Sequence, residues 1–141
     1  MLFMIIIKKD KVIEDNYVKI SSLEELNIND NLIVDLDFWK DKKKLLLSSK
    51  KNLALKLNSD DCMNDFCKDL KIFKLLILNF SSFKDGRLYT IANDLRGIFN
   101  YKKEIRASGD ILPDQYIFLI RCGFDTVEIN PEQKNTWFQI Y

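Results

Sequence analysis

The sequence predicts an α/β fold: an N-terminal β-hairpin followed by about five β-α units that form a mostly parallel open sheet or partial (β/α) barrel. Three observations predict it. Short apolar runs recur roughly every 20 to 30 residues, the length of a strand plus its return helix. The stretches between them carry apolar residues at helical spacing. The chain has 141 residues, 47% hydrophobic and 30% charged, which is material for one real core, expected as a single domain over 1–141. A closed eight-stranded barrel needs about 250 residues, so an open sheet or a partial barrel remains.

The elements follow in order. Residues 2–7 and about 11–19 flank the polar turn Lys8-Lys9-Asp10-Lys11, the pattern of a hairpin occupying 1–20. The opening apolar run is too short to span a bilayer, lacks a basic segment before it and is followed by Lys8-Lys9, so it reads as a strand and not as an address. The apolar runs of the core, 30–130, are Leu32 to Leu36, Leu53 to Leu57, Leu75 to Leu78, Ile105 to Ala107 and Thr126 to Ile129. Between the second and third, Asp60 or Asp61 is placed to cap a helix whose face is Met63, Phe66, Cys67 and Leu70. Between the third and fourth, Leu88, Ile91, Ala92 and Leu95 form a stripe, with Gly97 where a left-handed residue ends a helix. Between the fourth and fifth, Pro113 suits a first turn, Ile117 and Ile120 are expected to face the core, and Gly123 to terminate. Residues 131–141 form a C-terminal tail, with Trp39 and Trp137 read as core or terminal anchors.

Composition excludes several function classes. Lys plus Arg (22) nearly cancels Asp plus Glu (21), so no strong field favours nucleic acid or a membrane surface. With no histidine, Ser-His-Asp and Cys-His catalysis and nearly all catalytic zinc sites are unavailable, and no metal site is expected. Three cysteines, two of them spaced C-x4-C, indicate neither a disulfide framework nor a zinc ribbon, and a reducing cytoplasm is the simple reading. No G-x-G-x-x-G and no G-x-x-x-x-G-K-[ST] occurs, which leaves the cofactor unknown.

The scarce residues cluster instead. All four glycines (Gly86, Gly97, Gly109, Gly123) and all four arginines (Arg87, Arg96, Arg106, Arg121) fall between positions 86 and 123. Lys serves wherever any positive charge suffices, so Arg marks places where its planar fork matters. Two loops at the expected carboxyl edge of the sheet carry half of them. In Ser81-Ser82-Phe83-Lys84-Asp85-Gly86-Arg87, the Asp-Gly pair signals a turn with positive φ at Gly86, and Arg87 opposes the dipole at a helix start. In Arg106-Ala107-Ser108-Gly109-Asp110, continued by Asp114-Gln115, a turn before a helix offers backbone N–H groups to an anion. The bland alternatives are that Asp85 pairs with Arg87 and that Asp110 caps its helix. The anion- or partner-binding set is Asp85, Gly86, Arg87, Arg106, Gly109, Asp110, Asp114 and Gln115, and the catalytic candidates are Asp85, Asp110 and Cys122. Cys122 beside a terminating glycine is more often core than redox centre.

The string Phe80-x-x-Phe83-x-Asp85-Gly86-Arg87-x-Tyr89-Thr90-x-Ala92-x-x-Leu95-Arg96, then Glu104-x-Arg106-Ala107-x-Gly109-Asp110-x-x-x-Asp114-Gln115 and Arg121-Cys122-Gly123-Phe124-Asp125, closely resembles the bacterial domain-of-unknown-function family 934 over about residues 30–130. Leu88 and Lys103 stand where that family usually has glycine. The resemblance implies a small cytoplasmic protein encoded beside assimilatory sulfite or nitrite reductase, adenylylsulfate reductase and siroheme-synthesis genes, sometimes labelled an oxidoreductase, with no established reaction.

Two functions from different classes follow. The first is an accessory or interaction module of assimilatory sulfate reduction that binds sulfite reductase, adenylylsulfate reductase or an anionic intermediate through the two loops. The second is a small oxidoreductase in which Asp85 or Asp110 is acid or base, Arg87 and Arg106 clamp an anionic substrate, and Cys122 takes part. An open sheet edge is compatible with a homodimer, which no motif specifies.

Overall fold

A computed structural model describes residues 4–9 and 11–140. The expected hairpin positions 2, 3 and 10, and Tyr141 of the tail, lie outside the described residues. Strands β1 (Ile5–Lys8), β2 (Lys11–Ile13), β3 (Val18–Lys19), β4 (Asn31–Asp35), β5 (Asn52–Asn58), β6 (Phe73–Phe80), β7 (Glu104–Gly109) and β8 (Thr126–Ile129) form one eight-stranded sheet in the order β2-β1-β8-β7-β6-β5-β4-β3. Strands β3 to β8 are parallel neighbours in chain order. The sheet is mixed, because β1 pairs antiparallel with both β2 and β8. The second hairpin arm therefore does not run through to 19: β2 stops at Ile13, and Val18–Lys19 pairs with β4 at the far edge.

That connection fixes the shape of the sheet. The edge strands β2 and β3 are joined only by residues 14–17. Five Cα steps reach at most roughly 18 Å. Across a flat eight-stranded sheet the two edges would lie roughly 34 Å apart at about 4.8 Å per strand. The sheet must therefore curl into a half-barrel, with 14–17 strapped across its mouth.

The two faces differ as period-two alternation demands. One carries the main core: Leu32, Leu55, Leu76, Leu78, Ile105 and Val127 pack against the helices α1 (Leu36–Ser48), α2 (Arg87–Gly97), α3 (Tyr116–Arg121) and α4 (Lys134–Ile140). The other holds a small apolar cluster, Ile33, Ala54, Leu75 and Ile77, covered by Tyr17 of the strap. Helix α1 is capped by Asp35, whose carboxylate accepts from Phe38 N–H at 2.9 Å, and buries Trp39 edge-on to Phe73. The expected tail is helical over α4, and Trp137 is buried against Tyr116.

Four local expectations are corrected. The 60–70 segment forms two 3-10 turns, Met63–Asp65 and Cys67–Ile72, broken at Phe66 (φ −136°, ψ −8°). Asp61 accepts from Asn58 N–H behind it and so caps no helix, and Cys67 is only half-buried. Gly97 lies inside α2, and the positive φ after that helix belongs to Asn100 (55°). Gly86 takes φ −86°, because Asp85 closes the turn by side-chain hydrogen bonds that need no left-handed residue. On α3 the buried residues are Tyr116 and Leu119, while Ile117 and Ile120 face outward, since a six-residue helix docks only one turn's stripe. Gly123, at φ 109°, does terminate α3 in the left-handed region.

Candidate functional site

The carboxyl edge of the parallel strands gathers the two motif loops. Strand β6 ends at Phe80 and β7 at Gly109, paired with each other. The N–H of Asp110 donates to Phe80 O at 2.8 Å, and Asp110 Oδ2 accepts from Phe83 N–H at 3.3 Å. Gln115 bridges the same loops: Oε1 accepts from Leu112 N–H at 2.9 Å and Nε2 donates to Phe83 O at 3.1 Å. Gly109 has φ 90°, and a Cβ there would collide with Phe80 O. Asp110 and Gln115 thus work as loop fasteners, while Asp114 is exposed.

Asp85 and Arg87 form a closed pair. Arg87 donates from its backbone N (3.1 Å), Nε (3.0 Å) and Nη2 (2.7 Å) to the Asp85 carboxylate, and Nη2 also reaches Ser59 Oγ at 3.0 Å. These bonds hold the Asp85 carboxyl well below the usual carboxylate range. A carboxylate already bound by the guanidinium and by an N–H of the first helical turn of α2 fills the seat that an external anion would take.

Arg106 is not on this edge. It lies inside β7, 3% exposed, on the face away from the helices. Its Nη1 meets Asp15 Oδ1 at 3.3 Å, Nη2 meets Glu104 Oε2 at 3.0 Å, and Nε donates to Thr126 Oγ1 at 3.4 Å; Thr126 in turn donates to Glu104 Oε2 at 2.8 Å. Burial, then the Glu104 charge, pushes the Tyr17 phenol up, and burial pushes the Glu128 carboxyl up despite Lys56 and Arg106 nearby. This polar cluster of the half-barrel's inner face, with Asp15, Tyr17, Glu104, Thr126 and Glu128, did not emerge from the motif loops. The alternation Glu104-Ile-Arg106-Ala-Ser108 was its one sequence signal, since it puts three polar side chains on one strand face.

Cys122 caps α3 and is 6% exposed, with burial pushing its thiol up against a smaller effect of a hydrogen bond with Asn93. Arg96 joins three segments: it donates to Gly123 O, Tyr101 O and Lys103 O and pairs with Asp125 at 2.6 Å. Among the described residues, no three His, Cys, Asp or Glu side chains converge to hold a metal. Also among them, no helix is long and apolar enough to cross a membrane.

The structure therefore brings Asp85, Gly86, Arg87, Gly109, Asp110 and Gln115 to one edge and separates Arg106 and Cys122 from them. Those edge residues, with Arg96 and Asp125, are the motif positions quoted above, and the family model "Bacterial protein of unknown function (DUF934)" matches residues 54–140. The chain belongs to the DUF934 family. Neither a search of curated proteins nor one of solved structures returned a match. The DUF934 match begins within β5, so the hairpin, the strap, β3, β4 and α1 lie before it.

Proposed function

We propose that the chain is a cytoplasmic, non-catalytic accessory module of assimilatory sulfite reduction that docks on the reductase through the carboxyl edge of its sheet. The sulfur-assimilation setting comes from the motif resemblance. The observation that carries the docking role is the state of the edge: Asp85, Arg87, Asp110 and Gln115 are tied to loop partners, Asp114 stands exposed, and apolar side chains beside them face outward. Phe83 is exposed in the first loop, and Ile117 and Phe118 on α3 are 48% and 53% exposed, next to the loop that Gln115 fastens. Catalysis needs a free acid, base or nucleophile, whereas a rigid edge flanked by apolar side chains suits a protein interface.

The test is co-purification with the sulfite reductase, comparing wild type with Ile117→Asp and Arg87→Glu. Loss of the complex in both, with thermal unfolding within a few degrees of wild type, is the expected result. A complex that survives both substitutions removes the docking edge.

An anion-binding role has one observation in its favour: the Arg87 side chain is 63% exposed although paired. It would require an anion to exchange with Asp85, so sulfite or sulfate should raise the melting temperature of Asp85→Asn more than that of wild type. Equal responses would discard this second reading. No such support attaches to a thiol oxidoreductase, because Cys122 is buried and its thiolate disfavoured.

A further inference from the structure

The opposite, amino-terminal edge of the sheet carries a feature the docking edge lacks. Three depressions of about 140, 410 and 310 Å³ adjoin there: the first and second share Ile120, Phe124 and Asp125, and the second and third share Tyr101 and Lys102. Their continuity follows from topology. Lys8 ends β1 beside the start of β8, Lys102 and Lys103 precede β7, and Lys71 precedes β6, so three of four neighbouring strands deliver lysines to one rim.

Lys8, Lys9, Lys71, Lys102 and Lys103 line this groove, are exposed, and have no ion-pair partner among the described residues. The acid lining the groove, Asp125, is engaged by Arg96. A chain of formal net charge +1 thus gathers along one groove five lysines that no carboxylate of the described residues neutralises, although Lys103 Nζ donates to Lys71 O at 3.1 Å. Favourable placement near helix and turn C-termini accounts for lysine at 71 and 102–103, but not at Lys8 and Lys9 in the hairpin.

We propose that this groove binds an extended acidic peptide segment of a partner protein, with aliphatic side chains alternating among its carboxylates. Charge complementarity selects an acidic occupant. The apolar groups Ile120, Phe124 and Tyr101 line the depressions between the lysines, which suits side chains entering from a strand of peptide. Nucleic acid would want a row of stacking faces and arginine forks, yet Tyr101 and Phe124 are buried, Phe99 is a single exposed ring, and Arg96 is consumed internally. An anionic membrane would want a convex apolar face, whereas here Ile120 and Phe99 are partly exposed within a depression that also buries Tyr101 and Phe124.

The probe is a fluorescein-labelled peptide alternating Glu with Leu, measured by polarisation against its Gln-for-Glu counterpart, a labelled oligothymidylate and vesicles containing phosphatidylserine. The Glu peptide should bind best, weaken with added salt, and lose about tenfold or more in affinity in both Lys8→Glu/Lys9→Glu and Lys102→Glu/Lys103→Glu. Lys40→Glu/Lys44→Glu on α1 should leave it unchanged. Equal binding of the Gln peptide, preferential binding of oligothymidylate or vesicles, no binding of the Glu peptide, or indifference to both groove variants overturns the proposal. Two separate double variants guard against misfolding in either one. The carboxyl-edge variants of the docking test serve as a second control, since their failure leaves this groove intact.

Discussion

At the scale of single residues, what matters is which polar or glycine positions are forced. Gly109 is forced twice: φ 90° is strained for an L side chain, and the missing Cβ is where Phe80 O and Asn79 Oδ1 sit. Gly109→Ala should therefore cost about 2 to 4 kcal/mol in urea unfolding. Gly97 is the counterexample, with open space around it and a helical backbone, so Gly97→Ala should add about 0.5 to 1 kcal/mol. Similar losses at both positions would mean that the loop between β7 and α3 yields more than its hydrogen bonds imply. Glu128 offers a pH test. Its folded carboxyl titrates above the ordinary 4.5, so the folded state holds the proton more tightly than the unfolded chain does. The protonated form is the one the fold favours: its contribution is whole below about pH 4.5 and is lost as pH rises through the raised folded value. Glu128→Gln, which mimics that form, should unfold later than wild type at pH 7, with the advantage gone at pH 4. A gain that persists undiminished at pH 4 would place its origin in packing instead of charge.

At the scale of elements, the apolar runs located β4 to β6 because parallel strands buried on both faces read as nearly continuous Leu and Ile, whereas β7 and β8 showed only as short runs that alternate with polar residues. Leu88, Ala92 and Leu95 located α2 for the same reason, a stripe long enough to set its own phase. Where elements are short, phase was not legible. Tyr-Ile-Phe-Leu-Ile over α3 is apolar all round, and only docking against Trp137 on one side and Tyr89 on another chooses which residues go inward. Arg106 was misplaced for a related reason: a Gly-Asp turn just downstream drew it into the loop, although the strand runs on to Gly109. The Asp85–Arg87 pair was legible as the bland alternative, since residues two apart across a turn are within reach of each other. The inner-face cluster was not, because Asp15 and Arg106 meet only through a connection between the two edges of the sheet.

That connection governs the molecule as a whole. A parallel run of six strands in chain order has no reversal of strand order, so it gains no ligand crevice of the doubly wound kind; its distinctive feature is the strap that ties β2 to β3. Residues 14–17 do two jobs there: they limit how far the half-barrel can open, and they deliver Asp15 to Arg106 and Tyr17 to the inner apolar cluster. The two jobs separate experimentally. Inserting two glycines between Ile13 and Glu14 lengthens the tether without moving Asp15 or Tyr17 relative to β3, and loop-closure entropy alone predicts a cost under about 1 kcal/mol. Asp15→Asn keeps the length and leaves the buried guanidinium with Glu104 as its remaining charge partner, a loss of about 1.5 to 3 kcal/mol, the worth of one charged hydrogen bond. Removing Glu14 and Asn16 shortens the reach from roughly 18 to roughly 11 Å, which the curled sheet can meet only by tearing β3 or β2 from its neighbour. The deletion should therefore be the worst of the three, with hydrogen exchange at β3 and β4 accelerating before that at β6 and β7. If the insertion proves as damaging as the deletion, the strap's contacts and not its length set the curvature.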